Sequence, residues 1–171
     1  MKYLLFILIT FSLVGCTSDK VLFNVSTRNQ LIGDDIELQT LQFYTEKQFQ
    51  LHRELSNSDV SVKSGKIKQL NGKRVNILNF YSLTPCLLKA DSTDTMNFAF
   101  EEGNDRTLKF YLNRKNGEYR LYYNPSNYEI KYGDEKFVLK APYEVRLLIS
   151  RSSLNLTKIT KSTVKGIKIK N

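Results

Sequence analysis

Few side chains in this sequence could make or break bonds, and their surroundings narrow the field further. His52 is the only histidine. A lone imidazole can act as a general base or as a single metal ligand. A Ser–His–Asp set draws its members from distant positions, and no Gly-x-Ser-x-Gly elbow is present to support one. His52 alternates with Gln50 and Glu54, out of phase with Phe49, Leu51 and Leu55, so the pattern sets it on a solvated strand face. Cys86 lies in Thr84-Pro85-Cys86-Leu87-Leu88, where its neighbours favour a buried thiol that packs as a small hydrophobe. Asp91 and Asp94 form one acidic group, and Glu101, Glu102 and Asp105 another. The second group contains Gly103 but lacks the ligand spacing of a calcium loop, so a solvated turn is expected. No phosphate-cradling glycine pattern occurs. No catalytic residue, metal or cofactor is assigned.

Side chains suited to binding are better placed. If residues 107–112 and 118–123 alternate as strands, Lys109, Tyr111, Arg120 and Tyr122 share the face opposite the core. Antiparallel register then sets Tyr111 beside Arg120 and Lys109 beside Tyr122. Exposed tyrosines among cations can stack on sugars or bases and neutralise anionic groups. The alternatives are cation–π pairs that only solvate a sheet, or tyrosines buried under a second layer. A further basic group closes the chain. Residues 140–171 carry Lys140, Arg146, Arg151, Lys158, Lys161, Lys165, Lys168 and Lys170 against Glu144 alone, a balance of +7 within a chain of net charge +9. Lys165, Lys168 and Lys170 are candidate contacts for anionic lipid headgroups or an envelope polymer. The competing reading is an edge strand whose lysines block pairing.

The start of the chain is the most specific segment. Lys2 precedes an apolar run from Leu4 to Val14, broken only by Thr10 and Ser12. That run is too short for a hydrocarbon core of about 30 Å, which needs roughly 20 residues, and it fits the apolar region of a secretory signal. Leu13-Val14-Gly15-Cys16 follows, and it resembles the lipobox of bacterial lipoproteins. The resemblance implies cleavage between Gly15 and Cys16, with diacylglycerol on the Cys16 sulfur. It also implies an anchor of at least two acyl chains, which holds stably where one does not. Thr17 stands where an aspartate would signal inner-membrane retention, so an outer-membrane destination is implied. Residues 1–15 are thus read as signal peptide, 16–34 as lipidated tether with a short strand near Val21–Val25, and 35–171 as the folded domain.

The elements that position these residues read as strands. Short alternating runs recur every eight to twelve residues with turn residues between them, as in an all-β antiparallel sandwich or barrel-like meander of roughly nine to eleven strands. Alternation predicts Met96, Phe98 and Phe100 opposite Leu112, Phe110 and Leu108, and those three opposite Tyr119, Leu121 and Tyr123. Tyr128, Ile130 and Tyr132 alternate towards Phe137 and Leu139 around a Gly133-Asp134 turn. At Asn71-Gly72 an odd loop, gathering Ile67, Val75 and Ile77, is preferred over a two-residue turn. Val145, Leu147 and Ile149 mark a late strand. Residues 82–95 alternate weakly and could hold a seam between subdomains.

Composition bounds the rest. A hydrophobic share of 41% over 171 residues supports a collapsed core. Two cysteines exclude a disulfide framework and a cysteine-based zinc site. The residues favour a non-catalytic, lipid-anchored binding or interaction module of the cell envelope. Its expected partners are the membrane through Cys16, an anionic envelope polymer or lipid headgroup, or a protein, and no nucleic acid is expected. A structural subunit of an envelope assembly and a hydrolase using unrecognised acidic residues stand as the alternatives.

Overall fold

The computed structural model describes residues 19–55, 66–70, 73–103 and 106–155, with 66–70, 73 and 155 as backbone only. Gly15, Cys16, Lys165, Lys168 and Lys170 lie outside the described residues. Among the described residues, no helix is long and apolar enough to cross a membrane.

Among the described residues twelve strands and one α-helix follow in order: β1 (Lys20–Leu22), α1 (Val25–Gly33), β2 (Gln42–Thr45), β3 (Phe49–Glu54), β4 (Lys66–Leu70), β5 (Lys73–Phe80), β6 (Pro85–Asp91), β7 (Thr95–Ala99), β8 (Thr107–Asn113), β9 (Glu118–Leu121), β10 (Glu129–Tyr132), β11 (Glu135–Lys140) and β12 (Leu147–Ser150). They build two antiparallel sheets, ordered β1-β12-β2-β6-β7-β8-β9 and β10-β11-β3-β5-β4. The expected all-β antiparallel architecture is present as a sandwich, and the sheets do not close into a barrel. The larger sheet nevertheless curls. Isolated bridges join Asn24 to Glu118 and Arg120 to Arg146, so the outer edge of β9 is partly covered by the chain flanking β1 and β12. Covering an edge in this way removes a template for unwanted strand pairing.

One core lies between the layers. Met96, Phe98, Leu108, Phe110, Tyr119 and Leu121 are fully buried, as the alternation predicted. The second sheet supplies Phe49, Leu51, Phe80, Tyr132, Phe137 and Leu139 to the same cluster. Phe80 joins the sheets, with its ring centroid 5.2 Å from Phe100 and 5.6 Å from Tyr132. A run of edge-to-face contacts, Phe23–Phe43 at 5.0 Å, Phe43–Phe98 at 4.9 Å and Phe98–Phe110 at 5.5 Å, crosses the larger sheet. Each such contact contributes about 0.5–1.5 kcal/mol beyond the area it buries.

The structure revises five expectations. Residues 20–33, expected as tether with a short strand near Val21–Val25, hold a strand there, β1, followed by α1, and both fold onto the core through buried Phe23 and Leu31. The Asn24 side chain caps α1 by accepting from the Thr27 N–H at 2.9 Å, and Arg28 ties the helix to Asp91 of β6 at 2.8 Å. Residues 82–95, where weak alternation left a seam or a long loop between sheets open, contain β6, which lies inside the larger sheet between β2 and β7. A bulge between Leu88 and Ala90 breaks its alternation.

Registers account for the other three revisions. Met96 opposes Phe110 and Phe98 opposes Leu108, two residues from the expected pairing. Ile130 opposes Phe137 and Tyr132 opposes Glu135, two residues from the pairing of Ile130 with Leu139 and Tyr132 with Phe137 that alternation favours. A shift of two keeps every side chain on its face, so the loops decide. The Phe100 N–H bonds the Arg106 carbonyl at 3.3 Å to close the first loop. Gly133, at φ +64°, closes the second as a two-residue turn. At Asn71-Gly72 the pairing is also that of a two-residue connection, Leu70 with Lys73, Ile67 with Asn76 and Lys68 with Val75, against the odd loop expected. Val75 and Asn76 are both buried, on opposite faces of β5. No one-sided apolar row therefore dictates the register there, and the short loop does.

Candidate functional site

The predicted ligand face lies on the outside of β8 and β9. Tyr111 opposes Arg120 as the alternation required. The chain continues past β9 in the same register, with the Tyr122 N–H donating to the Lys109 carbonyl at 2.8 Å. The Lys109 ammonium stands 5.8 Å from the Tyr122 ring centroid. The Tyr111 and Tyr122 rings meet edge to face at 6.2 Å. Three of the four predicted residues thus form one exposed group, with Tyr122 half exposed.

Arg120 departs from that group. Its guanidinium bonds Glu118 at 2.8 Å and Glu144 at 2.7 Å. Arg146 bonds the other oxygen of Glu118 and both oxygens of Glu46. This chain of charges fastens β9 to the approach to β12 and to the end of β2. The Arg120 hydrogen bond, with help from Arg146, holds the Glu118 carboxyl below the usual carboxylate range. Arg146 does the same to Glu46. Arg120 thus shares the face with Tyr111 but is already paired with two carboxylates.

Beside Lys109 and Tyr122 the two sheets leave a groove of about 260 Å³. Asn97 and Thr107 add to the lining from β7 and β8, and Glu129, Lys131 and Gly133 add to it from the β10 hairpin. Glu129 is engaged by Lys136 at 2.9 Å and by the Asn127 amide at 3.3 Å. Among the described residues neither Lys109 nor Lys131 has a carboxylate partner. Lys131 also sits directly across from Lys136, an arrangement of like charges that costs a few tenths of a kcal/mol or more.

The connection from β9 to β10 forms the rim. Tyr128, expected to point inward with Ile130 and Tyr132, is 39% exposed and holds φ at +58°. That left-handed conformation is strained for a bulky side chain. It is held by a hydrogen bond from the Tyr128 N–H to the Asn124 carbonyl at 2.7 Å and one from the Leu139 N–H to the Tyr128 carbonyl at 2.8 Å. The Tyr128 ring stacks on Tyr143 at 4.5 Å and on Tyr123 at 5.9 Å. Sequence reasoning missed this stack and missed Lys131. Lys131 alternates with inward Ile130 and Tyr132, so its outward aim was readable. Its place in the same groove as Lys109 depends on how the sheets pack, which no local pattern carries.

Elsewhere the structure places the reactive residues in packed or partnered settings. Cys86 is a buried free thiol, pushed far above its ordinary value by desolvation. His52 is half-buried, not fully solvated, and contacts the Gln50 side chain at 3.0 Å. Desolvation, with a smaller effect of Lys140, lowers the His52 pKa. Among the described residues no three His, Cys, Asp or Glu side chains are placed to share a metal ion. At one corner, Asp19 accepts at its carbonyl from the Arg151 N–H at 2.7 Å and at its side chain from the Ser150 hydroxyl at 2.8 Å. Residues before 19 and after 155 thus join the fold close together. No family model matches the chain, and neither a curated protein nor a solved structure does.

Proposed function

We propose that this chain is a lipid-anchored lipoprotein of the bacterial cell envelope, cleaved after Gly15, lipidated at Cys16 and directed to the outer membrane. Its folded domain acts as a non-catalytic binding module. The ligand surface is the face carrying Lys109, Tyr111 and Tyr122, and the ligand is anionic. The observation that carries this reading is the groove beside Lys109, which is lined by two lysines that have no carboxylate partner among the described residues and by an exposed tyrosine. Such a site gains from an anion that the protein itself does not provide.

The anchor reading rests on the sequence Leu13-Val14-Gly15-Cys16. The basic residues Lys165, Lys168 and Lys170 are suited to anionic headgroups of the membrane that Cys16 would anchor to. A hydrolase reading gains no support from the carboxylates of the charge network. Glu46 and Glu118 are pushed down by cations, whereas a general acid near neutral pH needs its value raised.

Two measurements test the reading. Mass spectrometry of the chain purified from bacterial membranes should find the N-terminus at Cys16 carrying diacylglycerol, and Cys16→Ala should release the protein into the soluble fraction. An unmodified N-terminus, or membrane retention of Cys16→Ala, overturns the anchor. Cosedimentation of the full chain in neutral detergent with isolated cell walls should fall about tenfold when Lys109→Gln and Tyr122→Ala are combined. Unchanged cosedimentation removes the ligand surface.

A further inference from the structure

We infer that the groove between β8 and β10 is a subsite for one acidic sugar unit, whose carboxylate or phosphate bridges Lys109 and Lys131 while its ring lies against Tyr122. This rests on the binding-module reading above and gives it a ligand class.

Size comes first. A volume of about 260 Å³ falls below the roughly 300–1,000 Å³ of sites for drug-sized molecules, and it suits a single ring. Charge comes second. Lys109 and Lys131 come from different sheets and line the same groove. Glu129, the one carboxylate of the lining among the described residues, is already engaged by Lys136 at 2.9 Å. A compact anion between the two ammonium groups would therefore meet attraction from both sides with little competition from the protein. Lining chemistry comes third. Asn97 and Thr107 supply an amide and a hydroxyl that can donate to or accept from ring hydroxyls. The half-exposed ring of Tyr122 supplies an apolar face. A bare inorganic anion would use the lysines and leave Tyr122, Asn97 and Thr107 without a role. A neutral sugar would leave the lysines without one.

The walls are also held in place before a ligand arrives. Tyr122 is pinned to Lys109 through the backbone at 2.8 Å, and the Asn124 N–H bonds the Glu129 carbonyl at 2.8 Å to close the connecting loop. Strained Tyr128, locked from both sides, belongs to that loop. Little ordering is left to oppose binding.

The test is calorimetric titration of the full chain in neutral detergent with four probes: trigalacturonate, glucose 6-phosphate, maltotriose and inorganic phosphate. At least one acidic sugar should bind about tenfold more tightly than both maltotriose and phosphate, and the one that binds identifies the anion as carboxylate or phosphate. Lys131→Gln and Lys109→Gln should each erase that advantage, Tyr122→Ala should weaken the acidic sugar, and Lys115→Gln in the β8–β9 turn should change nothing. Circular dichroism checks that each variant is folded. The inference is overturned if neither acidic sugar exceeds both controls, if inorganic phosphate binds as tightly, or if Lys131→Gln has no effect. Should the acidic sugars fail while cell-wall cosedimentation still depends on Lys109 and Tyr122, the ligand class falls and the binding-module reading stands.

Discussion

Gly117→Ala should cost this domain about 2–3 kcal/mol, for reasons that can be separated experimentally. Gly117 ends the turn between β8 and β9 at φ +70°, where an L side chain costs about 1–2 kcal/mol. An added Cβ would also stand 2.9 Å from Cγ1 of Val25. Val25 cannot simply retreat, because its N–H bonds the Gly117 carbonyl at 2.8 Å and it opens α1. Overpacking of this kind adds about 1–3 kcal/mol. The stiffer unfolded chain returns about 0.4–1 kcal/mol. Urea unfolding followed by circular dichroism should show a midpoint lower by about 1 M with an unchanged slope. Val25→Ala combined with Gly117→Ala should recover the steric share and leave the backbone share, a coupling of about 1 kcal/mol or more in a double-mutant cycle. A loss below about 0.5 kcal/mol, or strict additivity of the two substitutions, would refute the proposed packing of α1 on this turn.

Two further outcomes follow from titratable groups. Glu46 and Glu118 titrate below their ordinary values because Arg146 and Arg120 stabilise their ionised forms. A lowered carboxylate contributes stability that is fully present above its unfolded value, about 4.3, and is lost as pH falls through the folded value. Melting temperature should therefore drop on acidification below about pH 5, and Glu118→Gln should be less stable than the native chain at neutral pH but flatten that drop; parallel curves would exclude the network as its source. The buried Cys86 thiol should resist a thiol reagent in the native protein and react fully in denaturant, and rapid native labelling would contradict its packing.

Much of the architecture was legible because alternation assigns faces directly. Phe98, Phe110 and Leu121 needed only the period of two to be placed inward. Register was less legible, since a slip of two residues leaves each of those faces unchanged. Only the closures at Phe100–Arg106 and Gly133-Asp134 settle it. Helix α1 escaped notice because its nine residues bury Leu31 alone and leave Ile32 exposed, so no helical stripe exists to be read. The site divides the same way. Lys109, Tyr111 and Tyr122 follow from one strand pair, but the loss of Arg120 to Glu118 and Glu144, and the arrival of Lys131, depend on contacts between segments far apart in the chain.

The central claim is that the groove between the sheets is where this protein meets its ligand. Amide chemical shifts of the isotopically labelled full chain in detergent, recorded during titration with trigalacturonate and glucose 6-phosphate, test it most directly. The account predicts saturable changes concentrated at Asn97, Lys109, Tyr122 and Lys131. Changes gathered elsewhere, such as around Gln42, Cys86 and Leu87 where another hollow lies, or no saturable change at all, would contradict it.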